Sequence, residues 1–176
     1  SNKSYTHRAI FLAALSDGKS IVKKILRSND TIATINACRG FGVEVEELED
    51  NITINNTINQ TVQSSIINAE NSGTTIRIAI AIAALSGGNT TLTGDESLRK
   101  RPMQPILDAL QTMGVKTESD DGKPPIHMNG KIQGKEIIIN GDISSQFISA
   151  LLIIAPRLPE GLIINVDGDL VSKPYV

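Results

Sequence analysis

Three polar strings, each running straight into an apolar segment, hold most of the chemistry this sequence can offer. Lys3-Ser4-Tyr5-Thr6-His7-Arg8 precedes Ala9–Leu15, Asn71-Ser72-Gly73-Thr74-Thr75 precedes Ile76–Leu85, and Ser144-Ser145-Gln146 precedes Phe147–Ala155. Ser, Thr and Asn are the residues that cap helix starts. A helix start leaves backbone N–H groups unpaired at the positive end of the helix dipole, so phosphate or carboxylate settles there readily. Small residues such as Gly73 and Gly141 let such a ligand approach, and Lys3, Arg8, Arg77 and Arg101 can add full positive charges. One such string is an ordinary cap. Three in register, at a period of about 70 residues, predict copies of one supersecondary unit whose helix starts share an anion site.

Other chemistries find little support. His7 and His127 have no partners at metal-ligand spacing, and the single Cys38 adds none, so no zinc or iron site is expected. Cys38 lies among apolar neighbours in a predicted helix and reads as a buried structural thiol. There is no Gly-x-x-x-x-Gly-Lys-Ser/Thr loop for nucleotide hydrolysis. Asp30 and Asp142 read as helix caps, and no acid pair suggests general acid–base catalysis. Arg99-Lys100-Arg101 is the clearest basic cluster. Taken alone it reads as solvated charge, but it follows the loop Gly94-Asp95-Glu96-Ser97, at the same end as the other openings.

Composition narrows the class. A chain of 176 residues, 40% hydrophobic and 20% charged, has enough apolar material for a globular core. Aromatics make up only 3%, with no Trp, which leaves little for stacking on exposed bases, so no nucleic-acid partner is expected. A net charge of −2 means any anion site must come from local grouping. The longest apolar runs fall short of the roughly 20 residues a membrane helix needs, so no membrane partner is expected either. With neither a disulfide framework nor a secretory leader, the expected setting is cytoplasmic.

The elements that must position these groups follow from pattern. In the first copy, Arg8–Leu15 predicts a helix, Ser20–Leu26 a strand, Thr31–Arg39 a second helix capped by Ser28-Asn29-Asp30, and Val43–Leu48 with Asn51–Ile58 a hairpin. In the second, Ile76–Leu85 is read as helix although Ile76–Ile82 alternates at period two, because Ala is the best helix former and the other copies are helical there. Thr90–Thr93 follows as strand. A helix is expected to open on Pro102, with Met103, Ile106, Leu107, Leu110 and Met113 on one stripe, before the strands Val115–Ser119 and Pro125–Asn129. The third supplies strand Glu136–Asn140, helix Gln146–Ala155, strand Leu162–Val166 and the start of a second helix at Lys173-Pro174-Tyr175. Because the first helix of every copy is apolar nearly all round, the three are expected to be enclosed together by the sheets.

With these segments placed, the chain resembles the 5-enolpyruvylshikimate-3-phosphate synthase family. The matching strings are Lys3-Ser4-Tyr5-Thr6-His7-Arg8-Ala9, Asn71-Ser72-Gly73-Thr74-Thr75-Ile76-Arg77, Leu92-Thr93-Gly94-Asp95-Glu96-Ser97-Leu98-Arg99-Lys100-Arg101-Pro102-Met103, Gly141-Asp142-Ile143-Ser144-Ser145-Gln146-Phe147 and Gly168-Asp169-Leu170-Val171-Ser172-Lys173-Pro174-Tyr175. The resemblance implies an α+β fold with a pseudo-threefold repeat of β-α-β-α-β-β units. The repeats fall at about 1–62 and 63–132, with an incomplete third at about 133–176. It further implies that the chain is one lobe of a two-lobed transferase, inactive without the missing C-terminal lobe. The reaction of the family moves the enolpyruvyl group of phosphoenolpyruvate to the 5-hydroxyl of shikimate 3-phosphate, releasing phosphate without cofactor or metal.

By the same resemblance, Lys3 and Arg101 bind phosphoenolpyruvate, with Asn71 and Gly73 at its phosphate. Ser4 and Arg8 hold the shikimate carboxylate, and Ser144, Ser145 and Ser172 the 3-phosphate. Gln146 and Tyr175 line the sugar-like ring, Lys3 and Gln146 serving both substrates. One departure is Asn2, where the family usually has Ser or a similar small residue, and this predicts a loosely anchored Lys3. The competing readings are a non-catalytic anion-binding module and a UDP-N-acetylglucosamine enolpyruvyl transferase. The latter fits the Arg-Lys-Arg-Pro and Ser-Ser-Gln-Phe strings less well. RNA cyclases share the architecture, but the chain lacks the basic excess and aromatics for RNA.

Overall fold

The computed structural model describes residues 2–55, 64–142, 144–172 and 176. Its elements run α1 (Lys3–Leu15), β1 (Lys19–Lys23), α2 (Asn29–Gly40), β2 (Glu44–Glu47), β3 (Asn51–Asn55), β4 (Ser64–Asn68), α3 (Gly73–Ser86), β5 (Asn89–Thr93), α4 (Gln104–Thr112), β6 (Lys116–Asp120), β7 (Lys123–Asn129), β8 (Glu136–Asn140), α5 (Ser145–Ile154) and β9 (Ile163–Asp167). The result is a mixed α+β fold.

Helix α3 sits at the centre. Ile76, Ile78, Ala79, Ile80, Ala81, Ile82, Ala83, Ala84 and Leu85 are all buried. A helix buried on every side has no polar face to reveal its period, so alternating Ile and Ala is compatible with the helix formed here. Its small alanines let α5 pack closely, and α1 contacts both. Helix α4 has the ordinary one-sided pattern: Ile106, Leu107, Ala109 and Leu110 are buried, with Met103 and Met113 buried at its two ends.

Three sheets wall this bundle, in the orders β1-β3-β2, β4-β5-β7-β6 and β8-β9. Pairs β4–β5 and β8–β9 are parallel. β1–β3, β2–β3, β5–β7 and β6–β7 are antiparallel. Each sheet buries one face, as in Ile52 and Ile54 of β3, Ile126 and Met128 of β7, and Ile137 and Ile139 of β8. Ile21, Ile66 and Ile138 project from the opposite faces and are exposed.

Four sequence expectations are corrected. The first strand stops at Lys23, because Lys24 takes a left-handed conformation (φ +55°); Leu26 is instead held by Thr6 Oγ1, which accepts from its N–H, and Thr31 Oγ1, which donates to its carbonyl. Pro102 does not open a helix. Residues Leu98–Lys100 form a short 3-10 turn, Met103 N donates to Gly122 O, and Pro105 takes the early helical position instead. Helix α1 is not enclosed, since Tyr5 and Leu12 are exposed, and Leu152 leaves part of α5 open too. Finally, Asn2 does not loosen Lys3: its side chain accepts from Tyr5 N at 3.2 Å and caps α1, as Asn does about as well as Ser. The end of the predicted strand Asn51–Ile58 and the predicted helix start at Lys173-Pro174-Tyr175 lie outside the described residues.

The loop after β5 delivers Arg101. Asp95 N donates to Glu70 O at 2.9 Å, Leu98 N to Asp95 Oδ1 at 2.8 Å, and Leu98 itself is fully buried. Gly94 is required where this loop crosses the start of the next segment, because a Cβ there would lie 2.5 Å from Glu70 O. Gly94→Ala is therefore expected to destabilise the fold by about 1–3 kcal/mol. The measurement is the urea midpoint at constant slope, and an unmoved midpoint would show that the loop is not fixed at this crossing.

Candidate functional site

The starts of α1, α3 and α5 open onto two adjoining polar cavities that share Gln146. The first, about 280 Å³, is lined by Lys3, Asp30, Asn71, Gly73, Thr74, Arg77, Arg101 and Gln146. The second, about 320 Å³, is lined by Ser4, Arg8, Ser144, Ser145, Gln146, Val171 and Ser172. Every described residue that the resemblance assigns to phosphoenolpyruvate therefore lines the first cavity. Those assigned to shikimate 3-phosphate line the second, apart from Lys3, which lines the first and was assigned to both. Tyr175 lies outside the described residues. Other concavities, such as that around His127, bring together none of these groups.

Each group is held by its local fold. Ser72 and Ser144 cap α3 and α5, accepting from Thr75 N and Gln146 N. Parallel pairing makes both loops alike: Ala69 N donates to Thr93 O after β4, and Gly141 N to Asp167 O after β8. Val171 N then donates to Gly141 O, which carries Ser172, in a left-handed conformation at φ +55°, to the lip of the second cavity. Arg101 donates to Asn71 Oδ1 at 2.9 Å. Arg8 reaches from α1 to Ser149 Oγ of α5 at 3.4 Å.

The electrostatics favour anions locally despite the net negative chain. Lys3, Arg77 and Arg101 face the first cavity against a single carboxylate, Asp30, which pairs with Lys3 at 2.6 Å. Both partners are partly exposed, so this pair contributes little to stability and can yield to a ligand. Gly73 lies between Arg77 and Arg101, and a Cβ there would be 2.8 Å from one guanidinium and 2.9 Å from the other. Burial, then the neighbouring charge of Arg101, lowers the proton affinity of Arg77. Among the described residues no cluster of His, Cys, Asp and Glu could hold a metal ion, and no helix is long and apolar enough to cross a membrane. Cys38 is buried, and burial pushes its thiol up to about 12, which removes it as a nucleophile near neutral pH.

Sequence reasoning missed the support beneath the first cavity. His7 Nδ1 meets Thr34 Oγ1 at 2.6 Å, Thr34 meets Thr75 Oγ1 at 2.8 Å, and Thr75 donates to Ser72 Oγ at 2.7 Å. This buried relay ties the N-terminal halves of α1, α2 and α3 together. His7 is 1% exposed and its Nε2 has no partner. A bare ring nitrogen is the less costly orphan, so we assign the proton to Nδ1, donating to Thr34. No local signal singled these residues out, because His7 and Thr75 sit within polar helix starts and Thr34 lies on a helix of mixed composition.

The comparisons with known proteins agree with this geometry. The family model for EPSP synthase (3-phosphoshikimate 1-carboxyvinyltransferase) matches residues 1–176, and the chain belongs to that family. It is 54% identical over 176 residues to the 3-phosphoshikimate 1-carboxyvinyltransferase of Nitrosopumilus maritimus, covering 100% of this chain and 42% of that protein. Identity to the enzyme of the same name from Methanothermobacter thermautotrophicus is 47% over 178 residues, covering 99% of this chain and 42% of that protein. An EPSP synthase structure from Acinetobacter baumannii superposes with a TM-score of 0.75 at 29% identity, covering 88% of this chain and 36% of that one. The chain thus spans well under half the length of its relatives.

The relay generates a pH prediction. Burial lowers His7 from 6.5 to about 4; Asp30 opposes the shift and Lys3 adds to it. The unfolded chain therefore binds the proton first as pH falls, and stability present above about pH 6.5 drops by about 3 kcal/mol on the way to pH 4. His7→Asn, which can offer a donor in place of Nδ1–H without titrating, should lack this component. Urea midpoints across pH 7 to 4 check it, and identical acid losses in the two chains would contradict the assignment.

Proposed function

We propose that this chain is one lobe of an enolpyruvyl transferase and carries half of its substrate site. The whole enzyme would join the 5-hydroxyl of shikimate 3-phosphate to the enolpyruvyl group of phosphoenolpyruvate and release phosphate. The observation that carries this reading is the adjacency of the two cavities around Gln146. Two anionic substrates that must react need neighbouring seats, and positioning them together is itself a large part of such catalysis. Lys3, Asn71, Gly73 and Arg101 would take phosphoenolpyruvate. Ser4, Arg8, Ser144, Ser145 and Ser172 would take the carboxylate and phosphate of shikimate 3-phosphate, with Gln146 between them and Tyr175 completing the ring contact.

In an addition followed by elimination, charge shifts among phosphate, carboxylate and the reacting oxygen. Fixed guanidinium groups and helix starts stabilise such charge without reorganising, which is the role these residues would play. The remaining groups would come from a second lobe, so the chain alone is expected to bind without turnover. A cytoplasmic setting suits these substrates. The equivalent sheet orders β1-β3-β2 and β5-β7-β6, and the matching parallel pairs β4–β5 and β8–β9, support reading the lobe as a pseudo-threefold repeat of β-α-β-α-β-β units. The third is partial, and the units would fall at about 1–62, 63–132 and 133–176.

The competing reading is a general anion-binding module, and calorimetry separates the two. Shikimate 3-phosphate is expected to bind the chain at least about tenfold more tightly than glucose 6-phosphate, the margin of one charge-assisted hydrogen bond. Equal affinity for the two phosphates would favour the module.

A further inference from the structure

Arg77 is partly buried beneath the first cavity and has no carboxylate partner among the described residues. Its Nη1 donates to Gly73 O at 3.1 Å and to Gln146 Oε1 at 2.8 Å, and its guanidinium lies 5.2 Å from the centre of the Phe147 ring. Nε is buried without a partner. The position is thus fixed from three sides by a carbonyl, an amide and an aromatic face, and it depends on Gly73 lacking a side chain.

A glutamine amide has an accepting end and a donating end, and which end faces a ligand decides whether it attracts or repels an anion. Arginine can only donate. Its bond to Gln146 therefore requires Oε1 to face Arg77, and Nε2, with two donors, faces away. Among the described residues Nε2 makes no hydrogen bond, and Gln146 lines both cavities.

We infer that Arg77 is a positioning residue that locks the Gln146 amide with its NH2 end toward the two cavities, so that one side chain donates to the anions in both. This deepens the reading of the cavities as anion seats and rests on it. Charge alone does not do this work. A lysine at position 77 keeps the charge, but its ammonium ends a shorter stem and lacks the planar guanidinium that rests on Phe147 and so holds Nη1 against Gly73 O and Gln146 Oε1. Arg77 needs no contact with the ligand for this role.

The test is a titration of the full 176-residue chain with inorganic phosphate, followed by NMR on backbone amides and on the Gln146 side-chain NH2 pair. In the unaltered chain that pair is expected to give two distinct signals that move with phosphate. Arg77→Lys is expected to weaken phosphate about tenfold, and Gln146→Leu by a similar factor. The double variant should be no weaker than Gln146→Leu alone, because both changes remove the same donated bond. Gln146→Glu preserves the bond to Arg77 but replaces the donors with a carboxylate oxygen, and should lose at least tenfold even if the position 77 variants fold poorly.

Arg77→Lys binding like the unaltered chain, a double variant about a hundredfold weaker, or a Gln146→Glu chain with undiminished affinity would each overturn the inference while leaving the anion seats intact. Failure of the unaltered chain to bind phosphate at the Gly73 amide would remove both.

Discussion

A helix enclosed on every side has only its ends left for polar chemistry, and the rest of this structure follows from that constraint. Helix α3 buries Ile and Ala around its whole circumference, and α5 buries most of its own. Their first N–H groups still need partners. Ser72 and Ser144 satisfy some of them, and what remains faces polar cavities lined by cations and small residues. Enclosure and a polar mouth are two consequences of one arrangement, because the sheets that exclude water from the helix sides also leave the mouth as the place where the backbone N–H groups meet polar and cationic side chains.

The cations are held in different ways, and the difference bears on function. Lys3 is exposed and paired with Asp30, so it can exchange that partner for a ligand. Arg101 rests on Asn71, at the end of a loop fixed by Leu98 and the Gly94 crossing. Arg77 is the most enclosed of the three and faces another guanidinium across Gly73. Such a grouping is unfavourable without a counter-charge, and this is the electrostatic reason the cavity suits a phosphate. Beneath it, the His7–Thr34–Thr75–Ser72 relay keeps three helix starts in register without using any group that faces the ligand.

Much of this was legible in the sequence, because caps, glycines and basic residues are local signals. The three openings, and every described residue assigned by resemblance, come together at two cavities. The helical reading of Ile76–Ile82 held against its period-two pattern because Ala propensity outweighs alternation in a segment buried all round. Pro102 misled, since Pro105 three residues later satisfies the same rule and Met103 N, between them, is taken up by Gly122 O rather than by a helix. The open face of α1 was hidden because Leu12 and Tyr5 look like core residues whether or not anything covers them. The supporting contacts were not legible at all. Arg77 meets Gln146 across 69 residues, and Thr34 meets Thr75 across 41, so neither pairing leaves a local pattern.

The central claim is that the helix starts form one doubled anion seat, and it can be tested directly by diffraction from crystals of the chain equilibrated with tungstate, a tetrahedral dianion with a strong anomalous signal. The account predicts two anomalous peaks, one against the Gly73 amide and Arg101 and one against the Ser144–Ser145 start, on either side of Gln146. Peaks confined to lysines on the outer sheet faces, with both mouths empty, would contradict it.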